Sequence, residues 1–186
     1  MKKSISKFNV LALSALFIFA VSFTACEEDP IVGCTDPEAE NFDADADTDS
    51  GACSFARDKF IGSYTGMIEC PGLLSSITSD MFPFEISESL TGTANEVSVL
   101  LTDLILSING VIDGNRLVLN QTVPAYPFDV TGDGSLIIVA DLTVTGFAEL
   151  NTAETMMAGE LTIEAKASDG SAFEGMDTCA FSGVKN

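Results

Sequence analysis

The stretch Leu161-Thr-Ile-Glu-Ala-Lys166 carries the clearest structural pattern in this 186-residue sequence. Leu161, Ile163 and Ala165 alternate with three polar residues, which is the period of a β-strand with one buried face and one wet face. Residues 100–108 are almost entirely apolar in both registers, so they predict a central strand or a strand whose outer face contacts a partner. Both features lie in residues 56–186, which we interpret as one β domain.

Short strands separated by turn residues recur through this domain. Turn signals such as Asn109-Gly110 and Asp169-Gly170 lie between apolar runs. The sequence therefore predicts an all-β fold, an antiparallel meander closed into a barrel, with a β-sandwich as the alternative. The predicted strands cover residues 60–69, 82–87, 96–101, 104–108, 116–121, 128–131, 135–139, 141–150, 157–166 and 172–182.

The chain is strongly acidic and contains no histidine. It has 28 Asp and Glu against 8 Lys and Arg, a formal net charge of -20, and no His or Trp. Such a charge repels phosphate backbones, so we expect no nucleic acid as a partner. Without His, the chain cannot assemble a Ser-His-Asp triad or a zinc site that contains His. An enzyme built on this sequence would depend on carboxylates.

Residues 1–25 have the organisation of an export signal. Three Lys residues precede an apolar run at residues 10–21, which is shorter than the roughly 20 residues that span a bilayer. The run leads to a small-residue cleavage site followed by Cys26. This arrangement resembles the lipobox of bacterial lipoproteins, with Phe23 in place of the usual Leu. The resemblance implies cleavage after residue 25 and a lipid anchor on Cys26 that ties the chain to a membrane.

Acidic residues directly follow Cys26. Glu27, Glu28 and Asp29 resemble the surface-export signal of Bacteroidota lipoproteins, and a solvated linker is the alternative interpretation. The resemblance implies a lipid-anchored protein of the outer membrane that faces the cell surface.

Residues 26–55 form an acidic segment with two further cysteines. The ten acids between residues 27 and 53 have no base among them, so this segment cannot fold around an apolar core. A disulfide between Cys34 and Cys53 would order it, because an exported chain is in an oxidising compartment. Acids at every second position from Asp43 to Asp49 also suit Ca²⁺, although the segment lacks the Gly and the Glu that an EF-hand loop requires.

The same segment resembles a short module of secreted marine and Bacteroidota proteins. Residues 33–53 match the pattern G-C-T-D-P-x-A-x-N-Y-x-P-x-A-x-x-D-x-G-S-C, with Phe42, Ala44 and Ala52 as departures. The family is a spacer or adhesion-associated repeat of a calcium-binding type, and a plain acidic spacer is the alternative. The candidate calcium ligands are Asp36, Asn41, Asp43, Asp45, Asp47 and Asp49.

The β domain contains the remaining two cysteines. Cys70 follows the first predicted strand and Cys179 lies in the last, so a disulfide between them would join the two ends of a closed barrel. Four Cys permit three connectivities. Sequence locality and the module resemblance favour Cys34–Cys53 together with Cys70–Cys179.

The start of the β domain resembles lipocalin-like domains of Bacteroidota lipoproteins. It reads Lys59-Phe-Ile-Gly-Ser-Tyr64, and an early Cys70 is matched by a late Cys179. True lipocalins have Gly-x-Trp at this point, where the present chain has Tyr64. The resemblance implies a fold, and it does not name a ligand.

Three functions are consistent with these features. The first is a non-catalytic surface lipoprotein that serves as an interaction or accessory module of the outer membrane, with a protein partner. The second is a carrier of a small apolar ligand inside a lipocalin-like barrel. The third is a carboxylate-based glycoside hydrolase, which needs two acids at a set separation. The aromatic residues that we expect to line a carrier's cavity are Phe60, Phe82, Phe84, Phe128, Phe147 and Phe173.

Overall fold

The structure, a computed structural model, describes most of the chain beyond the predicted export signal. The described residues are 29–72, 79–90, 93–102, 105–129, 131, 134–170 and 172–186. The predicted signal sequence at residues 1–25 and the predicted lipid anchor at Cys26 lie outside them. None of the helical residues in these ranges forms a segment long and apolar enough to cross a bilayer.

The elements are almost entirely β-strands. The acidic segment contributes two short parallel strands, β1 (Val32–Gly33) and β2 (Thr48–Asp49), and a single 3-10 helix, Ala56–Lys59, leads into the β domain. The strands of that domain are β3 (Gly62–Glu69), β4 (Ser79–Glu88), β5 (Glu96–Leu101), β6 (Leu106–Asp113), β7 (Arg116–Asp129), β8 (Ile137–Leu150), β9 (Met156–Ala167) and β10 (Glu174–Lys185).

Strands β3 to β10 form one closed antiparallel barrel. Each strand pairs with the next one in the chain, and β10 pairs with β3 to complete the circle. The last pairing runs from Ala180 opposite Glu69 to Lys185 opposite Tyr64. This closure confirms the predicted meander barrel, and the β-sandwich alternative is wrong because the first and last strands share one ladder.

Two pairs of predicted strands are in fact single long strands. Strand β7 continues through Pro124 and Pro127 by means of a register shift between Val123 and Tyr126, where Ala125 has φ 53°. A bulge of this kind lets a strand carry prolines without ending. Strand β8 likewise runs without a break from residue 137 to 150. The ten strands predicted from sequence therefore become eight.

The predicted turn at Asn109-Gly110 is also wrong. Both residues lie inside β6, which continues to Asp113. Gly110 faces the barrel interior, where a Cβ atom would lie 2.5 Å from Leu117 Cδ1 and 2.9 Å from Leu119 Cδ2. The glycine is required there because the two leucine side chains occupy the space of the missing side chain, so its reason is packing and not a turn.

The repeating alternation of buried and exposed residues defines the inner face of the barrel. In β9, Leu161, Ile163 and Ala165 are buried, as the period of two predicts. At one end, the 3-10 helix covers the barrel, and the side chain of Phe60 is fully buried beneath it. We call this the helix end. The connections β3–β4, β5–β6, β7–β8 and β9–β10 lie at the opposite end, which we call the distal end.

Both predicted disulfides are present. Cys34 is bonded to Cys53 within the acidic segment, and Cys70 is bonded to Cys179 between β3 and β10. The second bond lies next to the ladder in which Glu69 is opposite Ala180, so it covalently joins the strands that close the barrel.

Candidate ligand cavity

The barrel encloses an apolar cavity of about 270 Å³. Its wall includes Leu101, the last residue of β5, and Leu106, the first residue of β6, so the cavity reaches the distal end. Every described residue in its lining has an apolar side chain. The lining residues are Ile68, Phe82, Pro83, Phe84, Val99, Leu101, Leu106, Ile108, Leu117, Leu119, Leu142, Val144, Ala148, Leu161, Ile163 and Phe181.

Three phenylalanines pack against one another in the wall of the cavity. The ring of Phe84 is 5.9 Å from that of Phe82 and 5.7 Å from that of Phe181, measured between centroids, and all three line the cavity. We call these three residues the aromatic cluster. Phe84 packs directly on backbone, because a Cβ at Gly66 or Gly183 would lie 2.8 Å from its ring.

Tyr64 packs against the aromatic cluster on the side of the helix end. Its ring stacks on Phe84 at 5.0 Å between centroids, and its fully buried hydroxyl donates a hydrogen bond of 2.7 Å to the Phe60 carbonyl. Burial, with a smaller effect from the charge of Glu154, raises the pKa of the Tyr64 phenol to about 12. The hydroxyl therefore stays neutral and keeps its hydrogen bond, which ties the Tyr64 ring that stacks on Phe84 to the backbone of Phe60.

Only some of the six phenylalanines that we expected in the lining of the cavity are found there. Phe82 and Phe84 line the cavity. Phe60 is buried at the helix end and Phe173 packs against the core, but neither is part of the lining. The expectation for Phe147 is wrong, since its ring lies outside the barrel. The side chain of Phe128 is outside the described part of the structure.

Phe147 is on the outer face because its neighbour Ala148 takes the inward position in β8. The Arg116 guanidinium lies 4.1 Å from the centroid of the Phe147 ring, which covers the ring on the outside. Conversely, sequence reasoning missed Phe181. The signal for it was present, since Phe181 follows Cys179 by two residues and therefore shares its inner face.

The wall of the cavity is only partly closed by backbone hydrogen bonds between β6 and β7. Among the described residues, the ladder pairs residues 110–113 of β6 with residues 116–119 of β7 and goes no further towards the distal end. Beyond it, the Asn109 amide donates to the Gln121 side-chain carbonyl at 2.5 Å. We call residues 106–109 of β6, which have no ladder partner on β7, the seam. Leu106 and Ile108, which line the cavity, lie on the seam.

The charges of the β domain are unevenly placed around the cavity. Four of the five bases that follow Cys26 lie at the helix end, and Lys166 near the end of β9 is the fifth.

Two groups on β7 and β8 have shifted pKa values. Asp141, on the outer face of β8, accepts hydrogen bonds from the Ala125 amide and the Ser168 hydroxyl, and these lower the pKa of its carboxyl. Burial raises the pKa of Tyr126 on β7.

The candidate calcium ligands are used mainly in turns. The Oδ1 atoms of Asp36, Asp43 and Asp49 each accept the amide two residues further on. The Asn41 side chain bridges to the Ala52 carbonyl and the Ser54 amide, each at 2.8 Å. These bonds order the loop closed by the first disulfide.

No group of three or more His, Cys, Asp or Glu within the described ranges is placed to hold a metal ion. Asp45 and Asp47 belong to the same loop, and Asp47 Oδ1 accepts the Thr48 hydroxyl at 3.2 Å. The calcium interpretation of Asp36, Asn41, Asp43, Asp45, Asp47 and Asp49 thus stays a prediction, and the structure does not gather these residues into one site.

Comparison with protein-family models and with curated proteins finds no match to this chain.

Proposed function

We propose that this protein is a non-catalytic lipoprotein that binds a small apolar ligand in its barrel. The observation that carries the proposal is the cavity of about 270 Å³, whose described lining is entirely apolar. Removing apolar ligand surface from water drives such binding. The lipid anchor on Cys26 and the location at the outer membrane, facing the cell surface, belong to the same proposal and rest on the sequence.

The size of the cavity sets the size of the ligand. An apolar cavity of about 150 Å³ in another protein stays dry and binds benzene, and ligand sites for larger molecules occupy about 300–1,000 Å³. A cavity of about 270 Å³ therefore suits a framework of about ten to twelve carbon atoms. An alkyl chain or a fused pair of small rings has this size.

The lining favours binding over glycoside hydrolysis. A glycosidase site needs two carboxyl groups on opposite sides of the scissile bond. Among the described residues that face the cavity, none carries a carboxyl group. The acids of β9, such as Glu160 and Glu164, point outward, opposite in parity to Leu161 and Ile163.

A neutral fluorescent probe tests the proposal directly. N-phenyl-1-naphthylamine should gain fluorescence on adding the mature chain, and 1-decanol should displace it. Ala148→Phe fills the cavity and should weaken probe binding by at least about tenfold, whereas Ala158→Phe makes the same change at an exposed position of β9 and should leave binding unchanged. Val144→Leu adds one methylene to the lining, and it replaces Ala148→Phe as the cavity-filling variant if Ala148→Phe does not fold.

Absence of probe binding by the folded wild-type protein would contradict a carrier function. Equal loss in Ala148→Phe and Ala158→Phe would also contradict it, because the probe would then not be in the cavity.

A row of apolar residues on the outside favours a second candidate, the interaction module expected from the sequence. Val111 of β6 lies opposite Val118 of β7, which lies opposite Phe147 of β8. Val111 and Val118 are 49% and 37% exposed. A photo-cross-linking residue at position 118 should give a protein adduct on intact cells, whereas one at the outward, polar position 162 should not. Identical adduct patterns from the two positions would contradict a specific contact.

A further inference from the structure

The apolar lining implies that a charged group of any ligand must lie outside the cavity. Burial of an unpaired charge is strongly unfavourable, and the described lining has no polar side chain that would compensate it. The cavity reaches the distal end at Leu101 and Leu106, whereas the helix end is filled by the fully buried side chains of Phe60 and Tyr64. The head group of an amphiphilic ligand therefore lies at the distal end.

The bases of the molecule are concentrated at the opposite, helix end. Each of the four bases there has a partner: Arg57 donates to the Thr93 carbonyl, Lys59 pairs with Glu40 at 2.7 Å, Arg116 pairs with Glu149, and Lys185 donates to the Lys59 carbonyl. A carboxylate or phosphate at the mouth of the cavity has none of these cations within reach.

The fifth base is offset by neighbouring carboxylates. Lys166 lies on the outer face of β9, and its cross-strand neighbours are Asp141 on β8 and Glu174 on β10. Hydrogen bonds lower the pKa of Asp141, so this carboxylate is ionised at neutral pH. Lys166 thus has two acids in register with it and faces away from the cavity.

Acidic residues mark the distal end itself. Glu69 is the last residue of β3, Asp129 ends β7, Asp169 lies in the β9–β10 connection and Glu174 begins β10. Their summed field favours a positive group near the mouth of the cavity and disfavours a negative one.

From this distribution of acidic and basic residues we propose that the cavity selects cationic amphiphiles, an inference that rests on the proposed function. Such a ligand has a hydrocarbon body of about ten to twelve carbons in the cavity and an ammonium group at the distal end. Fatty-acid anions of the same length are discriminated against by the same charges. The cavity defines the site, and the placement of charge defines which head group it accepts.

Three probes with the same ten-carbon chain test this selectivity on the mature chain at pH 7.5, below their micelle concentrations. They are decyltrimethylammonium, 1-decanol and decanoate, each measured by displacement of N-phenyl-1-naphthylamine. At about 10 mM salt the ammonium probe should bind at least about tenfold more tightly than decanoate, and at about 0.5 M salt this ratio should fall to within about threefold.

Two variants locate the origin of the preference. Glu69→Gln/Glu174→Gln removes two charges at the distal end and should lower the ratio of ammonium to decanoate affinity by about threefold at low salt. Glu38→Gln/Glu40→Gln removes two charges from the acidic segment, beside the helix end, and should leave the ratio unchanged.

The outcomes separate the two proposals. Equal or tighter binding of decanoate, with 1-decanol bound, would overturn the selectivity and leave the carrier function standing. An unchanged ratio in Glu69→Gln/Glu174→Gln would overturn the role of the distal end. Failure of all three probes, 1-decanol included, would overturn the carrier function itself.

Discussion

Removal of the Cys70–Cys179 disulfide should cost the barrel much of its stability. The bond spans 109 residues of sequence, so it restricts the unfolded chain strongly while joining strands that already share a ladder in the folded state. The loop-closure entropy for a loop of this length corresponds to about 4.7 kcal/mol. This is a large part of the roughly 5–15 kcal/mol by which domains are stable.

Guanidinium unfolding of Cys70→Ala/Cys179→Ala measures this cost. With a denaturant slope of about 4 kcal/mol/M, a loss of about 4.7 kcal/mol moves the midpoint of the barrel transition down by roughly 1.2 M. The matched control is Cys34→Ala/Cys53→Ala, which removes a bond that spans only 19 residues and lies outside the barrel ladder. It should leave the barrel midpoint within about 0.2 M of wild type.

A loss of less than about 1 kcal/mol in the free energy of unfolding of Cys70→Ala/Cys179→Ala would refute the reasoning. It would show that removing this crosslink gives the unfolded chain little additional freedom. Equal shifts in the two double variants would refute it as well, since they would show that loop length and position in the fold do not decide the effect. Far-ultraviolet circular dichroism at zero denaturant establishes that each variant starts from a folded barrel.

Three further predictions concern single residues. Between pH 10 and about 12 the phenol of Tyr64 is largely ionised in the unfolded chain and neutral in the folded one. The free energy of unfolding therefore falls by about 2.7 kcal/mol as the pH rises through this range, and urea titrations of Tyr64→Phe should lack that part of the fall. Gly146→Ala places a Cβ 2.2 Å from the Glu160 carbonyl oxygen and should lower the stability of the barrel by at least about 2 kcal/mol, measured by thermal melting. The control Gly170→Ala has open space around its Cβ and should lower the stability by about 1 kcal/mol. Equal losses in the two variants would refute the importance of the contact with Glu160. Asn41→Ala removes two backbone contacts of the acidic segment and should speed hydrogen exchange there, while an altered barrel melting temperature would contradict their local role.

The fold was largely predictable because it depends on local alternation. The period of two in residues 161–166 assigns inward and outward faces correctly, and it needs no knowledge of neighbouring strands. The points at which strands end were less predictable. Asn109-Gly110 has the composition of a turn, yet Gly110 serves the packing of Leu117 and Leu119, which come from the next strand. Only the tertiary structure distinguishes these two uses of a glycine.

The site was less predictable than the fold for the same reason. Phe82 and Phe84 could be expected near an interior space, but Phe147 has the same composition signal and lies outside under Arg116. A cavity is the volume that side chains from several strands fail to fill, so no single segment encodes it. The positions of the charges relative to its mouth follow from strand direction, which the order of strands in a closed meander fixes.

The seam between β6 and β7 is a part of the barrel wall that no backbone ladder closes. Separation of residues 106–109 from β7 breaks no ladder pair, and among the described contacts it breaks the single bond from the Asn109 amide to Gln121. A net hydrogen bond of this kind contributes about 1 kcal/mol. Leu106 and Ile108 of this stretch are buried in the core, so apolar packing, rather than a backbone ladder, holds this part of the barrel wall in place.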